Sequence, residues 1–112
     1  MTDDWAPGAG DIIWLEFDPT VGTEQSGRRP GLVLSERSYN HPSGRVLVMP
    51  ISSRARDWPF EVALVEGAIR GVVLVDQVRV VDWRARYAKP AGRADSEVLR
   101  QARAKLAALA GD

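Results

Sequence analysis

Six short apolar runs occupy the chain between Asp11 and Val81, and each is closed by a glycine, a proline or a polar turn. They are Asp11–Phe17, Gly31–Ser35, Arg45–Pro50, Phe60–Leu64, Gly71–Val75 and Arg79–Val81. In the first, Ile13, Leu15 and Phe17 alternate with Ile12, Trp14 and Glu16, the period of two that belongs to a strand. Both faces of that run carry apolar residues, which places it inside a sheet rather than at an edge. Strands this short, joined by Gly/Pro turns, predict a small barrel and leave no room for the helical crossovers of a parallel sheet. The pattern changes at Ser96. Leu99, Ala102, Leu106 and Leu109 then recur at spacings of three and four, one apolar face of an alanine-rich helix. Asp95 or Ser96 can cap its start and Gly111 can close its end.

The sequence has 112 residues, enough for one domain with a modest core, and residues 1–9 read as a flexible lead into it. It has no cysteine, which removes disulfides, thiolate nucleophiles and Cys-based zinc sites. The N-terminal segment carries Asp3 and Asp4 and no basic or apolar signal region, and no run approaches the ~18 apolar residues of a membrane span. The expectation is a cytoplasmic protein. Formal net charge is zero, yet 13 of the 15 basic residues are arginine, with pairs at Arg28-Arg29, Arg54-Arg56 and Arg84-Arg86. Converging pairs make a local positive field on a neutral protein; scattered ones are a solvated surface.

Reactive residue types crowd together in Gly22–Pro30, between the first two strands. Glu24, Gln25, Arg28 and Arg29 lie there between glycines, and Pro30 stiffens the exit. A carboxylate beside a guanidinium supplies a proton acceptor and a bidentate clamp for phosphate. The same pair can also merely pin the loop. Ser52 and Ser53 end the third strand, where hydroxyls donate to a phosphate or satisfy a turn. Trp14, Trp58 and Trp83, with Phe17 and Tyr39, divide between core packing and base stacking. The single histidine, His41, sits in a polar stretch and cannot run a two-histidine acid–base cycle. Glu16 and Asp18 share a strand face without a third ligand, so no metal site is expected.

Five fragments in order carry a resemblance. Gly10-Asp11-Ile12-Ile13-Trp14, Phe17-Asp18-Pro19-Thr20, Gly22-Thr23-Glu24-Gln25 through Gly27-Arg28-Arg29-Pro30, Asp76-Gln77-Val78 and Trp83-Arg84-Ala85-Arg86 together resemble the MazF/PemK family of messenger-RNA interferases, toxins of bacterial toxin–antitoxin pairs. The similarity runs from about Pro7 to Leu109. It implies a mainly β fold, a small SH3-like barrel of the CcdB/PemK type with a C-terminal helix, acting as a homodimer. It also implies metal-independent endoribonuclease cleavage of single-stranded RNA at short motifs, with no cofactor. The 2′-OH attacks the adjacent phosphorus and leaves 2′,3′-cyclic phosphate and 5′-OH ends.

Carried over by position, the resemblance makes Arg29 the catalytic arginine, Glu24 the loop carboxylate and general base, and Ser52 the hydroxyl donor where many members have threonine. Serine keeps the hydroxyl and loses the methyl that restricts χ1. The RNA-binding candidates are Phe17, Gln25, Arg28, Ser53, Arg54, Gln77, Arg84 and Arg86, with Arg56 beside them. The implied partner is a MazE-like antitoxin whose acidic, disordered tail lies in the RNA groove. The alternatives are a non-catalytic toxin that, like the gyrase poison CcdB, docks on a protein, and an inactive relative that only holds an antitoxin.

Overall fold

The computed structural model describes residues 4–17 and 28–111. Its elements in order are β1 (Asp11–Leu15), β2 (Arg29–Val33), α1 (Arg37–Ser43), β3 (Arg45–Ser52), β4 (Glu61–Glu66), β5 (Ile69–Leu74), a 3-10 turn (Val75–Gln77), β6 (Arg79–Asp82), β7 (Lys89–Arg93) and α2 (Ser96–Leu109). The strands form one curled antiparallel sheet in the order β4-β5-β3-β2-β1-β7, with β6 also paired to β3. β1 is flanked by β2 and β7, the interior place that its two apolar faces require.

β3 has three neighbours. One edge pairs with β2; the other pairs with β6 over Arg45–Val48 and with β5 at Ile51 and Ser52. Pro50, which has no N–H to give a ladder, lies at this change of partner, and the strand runs on past it to Ser52. The sheet can curl here because β5 crosses against Ser52 at Gly71. A Cβ on Gly71 would stand 2.0 Å from the Ser52 carbonyl oxygen, so only glycine allows the contact.

Alternate residues feed two cores. Ile12, Leu32, Met49, Ile51, Val62, Leu64 and Val73 face α2, which contributes Val98, Leu99, Ala102 and Leu106. Ile13, Leu15, Val33, Val46, Val48 and Val81 turn the other way and pack with Phe17 and Trp83. Leu109, expected on the buried face of the helix, is 44% exposed because α2 has run past the sheet. The N-cap residue of α2 is Asp95, whose side chain makes no capping bond, and Gly111 follows its last turn with φ +95°.

Three segments depart from the sequence reading. The stretch through Asn40 and Pro42 is a short helix, α1, held by tertiary bonds. Asn40, fully buried, donates from Nδ2 to the carbonyls of Pro7 (2.7 Å) and Ser35 (2.9 Å), while its own carbonyl accepts from Trp83 Nε1 (2.9 Å). The same network reaches residues 5–7 of the expected flexible lead, whose residues 1–3 lie outside the described residues. Ala6 and Pro7 are buried, and the Trp5 ring meets Trp83 edge-on at 5.4 Å. Lys89–Arg93, outside the six apolar runs, is a strand.

Candidate active site

The end of β3 opens into two adjoining cavities. The larger, about 680 Å³, is lined by Trp14, Arg29, Pro30, Ile51, Ser52, Ser53, Arg54, Arg56, Ala68, Ile69 and Arg70. The smaller, about 250 Å³, is lined by Ser52, Arg54, Arg56, Trp58, Glu61, Leu74, Asp76 and Gln77. Ser52, Arg54 and Arg56 belong to both.

Strand register explains why Arg29 and Ser52 meet. Gly31 pairs with Pro50, and two residues further along the same antiparallel register Arg29 comes level with Ser52. The Ser52–Val72 pair then brings β5, and with it Arg70, to the same end of the sheet. Ser52 Oγ accepts a hydrogen bond from the Arg54 backbone N–H at 3.1 Å. That bond fixes the oxygen and leaves the hydroxyl proton free to be donated. It supplies from the backbone the restraint that a threonine methyl would supply from the side chain.

The charge of the larger cavity is one-sided. Among the described residues, the guanidiniums of Arg29, Arg54, Arg56 and Arg70 make no ion pair or side-chain hydrogen bond. The two acids of the smaller cavity are engaged by neutral donors. Glu61 accepts from the Arg56 backbone N–H at 3.1 and 3.2 Å, and Asp76 accepts from Trp58 Nε1 at 3.1 Å. Four guanidiniums without an acid partner among the described residues, around one concavity, make a candidate anion site on a chain of zero net charge.

The structure thus brings together Arg29, Ser52, Ser53, Arg54 and Gln77 of the sequence candidates. Glu24 and Gln25 lie outside the described residues. The remaining candidates are turned to other tasks. Phe17 is 3% exposed, with the Arg79 guanidinium 5.1 Å from its ring centroid, so the ring is in the core and presents no face to a base. Arg28 donates to the Trp14 (3.0 Å) and Tyr87 (2.5 Å) carbonyls, and Arg86 to those of Glu16 (3.0 Å) and Phe17 (2.5 Å). Arg84 lies over the Trp83 ring at 4.6 Å and donates to the His41 carbonyl. Its place beside Gly44 is the opposite end of β3 from Ser52, roughly 25 Å away at strand rise.

Sequence reasoning missed Arg70 as a site residue, and left Trp14 and Trp58 undecided between core and surface. Arg70 carries no local signal, since only the β3–β5 register brings it to the cavity.

Residues 9–110 match the family model of PemK-like, MazF-like toxins of type II toxin–antitoxin systems. The chain belongs to the PemK/MazF toxin family. This PemK/MazF chain is 42% identical over 111 residues to the endoribonuclease toxin MazF of Escherichia coli (strain K12), covering 99% of the chain and 100% of that protein. The crystal structure of MazF from Deinococcus radiodurans is 45% identical and superposes with a TM-score of 0.87, over 97% of this chain and 100% of the other. A MazE–MazF crystal structure from the same organism gives 0.85 at 42% identity, over 96% and 98% of the two chains. The mainly β sheet with a C-terminal helix is therefore the MazF fold. Within this PemK/MazF chain no helix of the described residues is long and apolar enough to cross a membrane.

Proposed function

We propose that this chain is the toxin of a toxin–antitoxin pair, an endoribonuclease that cuts single-stranded RNA, and that one PemK/MazF-like domain spans residues 1–112. One observation carries the assignment of the site. Arg29 and Ser52 line a single cavity with Arg54, Arg56 and Arg70, and none of these guanidiniums has an acid partner among the described residues. A phosphodiester is the anion that this arrangement fits, and the relatives' names supply the class of reaction.

The proposed chemistry is an internal transfer. The 2′-OH loses its proton to Glu24 as its oxygen bonds to the adjacent phosphorus, and the P–O5′ bond breaks as solvent water gives a proton to O5′. The products are a 2′,3′-cyclic phosphate and a 5′-OH. Arg29 stabilises the doubly charged phosphorane; its pKa makes it an electrostatic partner rather than a proton donor. Ser52, with its Oγ held by the Arg54 N–H, donates to a non-bridging oxygen. Gln77 offers an amide to a base edge from the smaller cavity. Such an enzyme acts where messenger RNA is, in the cytoplasm, as a homodimer.

The structure of MazE bound to MazF in Deinococcus radiodurans supports a MazE-like antitoxin for this chain as well. An acidic, disordered tail would match the four guanidiniums and cover the site. The purified protein incubated with a long RNA in EDTA tests the reading. Fragments ending in cyclic phosphate support it, and intact RNA would return the chain to the class of toxins that act by docking on a protein.

A further inference from the structure

The smaller cavity contains an aromatic group that the reaction itself does not use. Trp58 is 49% exposed, and its indole is fixed at two points. Nε1–H donates to Asp76 at 3.1 Å, and one side of the ring rests against Phe60, with centroids 5.8 Å apart at 55°. Both supports are anchored in turn. Phe60 packs against the core beneath α2, and its carbonyl accepts from the backbone N–H of the buried Val75, one residue before Asp76. A solvent-exposed indole held this firmly gains nothing in stability from remaining uncovered, because its free face still meets water.

Around that face stand Ser52, Arg54, Arg56 and Gln77. The cavity, at about 250 Å³, is below the roughly 300 Å³ at which drug-sized ligands are accommodated, and suits one planar ring system. An aromatic face between unpaired guanidiniums is the chemistry that binds single-stranded nucleic acid: the ring takes a base and the cations take its phosphates. The two carboxylates in the wall keep their charge, which favours seating the base in this cavity and its phosphate beside the arginines of the larger one. Each is already engaged, Glu61 by a backbone N–H and Asp76 by the indole itself.

We infer that Trp58 is a stacking platform for the base adjacent to the scissile phosphate, and that Asp76 is the positioning residue that holds the indole at the angle for stacking. The inference rests on the nuclease reading and extends it. A platform of this kind recognises a base by its face, so it adds affinity at that position without choosing between bases, and the choice falls to Gln77 beside it. Because Ser52 lines both cavities, a base stacked on Trp58 fixes the neighbouring phosphate opposite the hydroxyl and Arg29.

The test uses the full-length protein, a cleavable single-stranded RNA, and a single-stranded DNA copy that has no 2′-OH and cannot be cut. Trp58→Ala is expected to raise KM for the RNA roughly tenfold or more, with kcat changed by less than about threefold. Asp76→Ala should raise KM in the same direction, and Asp76→Asn, which keeps an acceptor for the indole, should restore it. Titration with the DNA should quench tryptophan fluorescence, and Trp58→Phe, which preserves the fold, should lose most of that quenching. An unchanged KM in Trp58→Ala, or full quenching in Trp58→Phe, overturns the inference and leaves the indole to a protein partner. The fluorescence measurement needs no cleavage, so a protein that binds the DNA through Trp58 and cuts no RNA would contradict only the nuclease reading.

Discussion

The arginines of this protein fall into two groups, and β3 separates them. At the Ser52 end, Arg29, Arg54, Arg56 and Arg70 project into a cavity with no acid partner among the described residues. At the Gly44 end and along β1, Arg84, Arg28 and Arg86 donate to the carbonyls of His41, Trp14, Tyr87, Glu16 and Phe17. One side chain serves as a brace where its five donors find backbone oxygens, and as a clamp where they find none. Tyr87 shows the strength of the bracing. It is a bulky residue at φ +57°, in the left-handed region, and its carbonyl is held there by Arg28. Charge clustering in sequence does not distinguish the two groups; the number of carbonyls within reach does.

The contrast can be broken most sharply at Arg29. Arg29→Ala should lower kcat for RNA cleavage by about 10³-fold or more, as loss of a phosphate-stabilising arginine does, and leave the melting temperature unchanged. Any residual rate close to the unsubstituted protein's removes Arg29 from the clamp group. Ser52→Ala should cost about 10²-fold in kcat, the scale of losing one fixed donor to a developing oxyanion, whereas Ser52→Thr should retain activity. Arg86→Ala should do the reverse of Arg29→Ala. It leaves two carbonyls without their donor and should destabilise the fold by about 1–3 kcal/mol in urea titration, with cleavage per folded molecule preserved.

Two smaller effects sharpen the division. Arg70→Ala should flatten the dependence of log K on log salt for a single-stranded oligonucleotide by about 0.7, one phosphate's worth, while Arg84→Ala should leave that slope unchanged. The smallest effect belongs to a pair outside both groups. The Arg100 guanidinium, with help from Gln101, holds the exposed Glu97 carboxyl down to about 2 from 4.5. A depressed carboxylate stabilises the fold fully above its unfolded value and loses that contribution as the pH falls from about 4.5 towards 2. Glu97→Gln should remove only that acid-limb dependence in thermal melts, and no effect on cleavage at neutral pH is expected.

The sheet and α2 were legible because their residues obey a period. Ile12 and Ile13 feed opposite cores by alternation, and Leu99, Ala102 and Leu106 share one helix face. α1 was not legible, since Asn40, His41 and Pro42 are poor helix formers and their conformation is set by the bonds from Asn40 to Pro7 and Ser35. β7 contains a proline, a glycine and no β-branched residue, so it shows no strand pattern. At the candidate site, Arg29 and Ser52 stood out by residue type and took their expected roles from the family resemblance. Arg70 gave no sign in sequence and Trp58 stayed divided between core and stacking, because strand register and the hydrogen bond to Asp76, which place them on the cavities, are not local in sequence. Phe17, by contrast, looked like a stacking residue and is core because Gly31 leaves the space its ring fills. A Cβ there would stand 2.8 Å from that ring.

Ser52 is a wall shared by two rooms of different character, one cationic and one aromatic. Small ligands chosen separately for each, a polyanion for the first and a flat heteroaromatic for the second, would meet at the same hydroxyl. Joined by a linker just long enough to pass over it, they would bind as one molecule whose second half arrives at high effective concentration. The serine proposed to donate to the phosphate is then also the point across which an inhibitor of this toxin is most economically built.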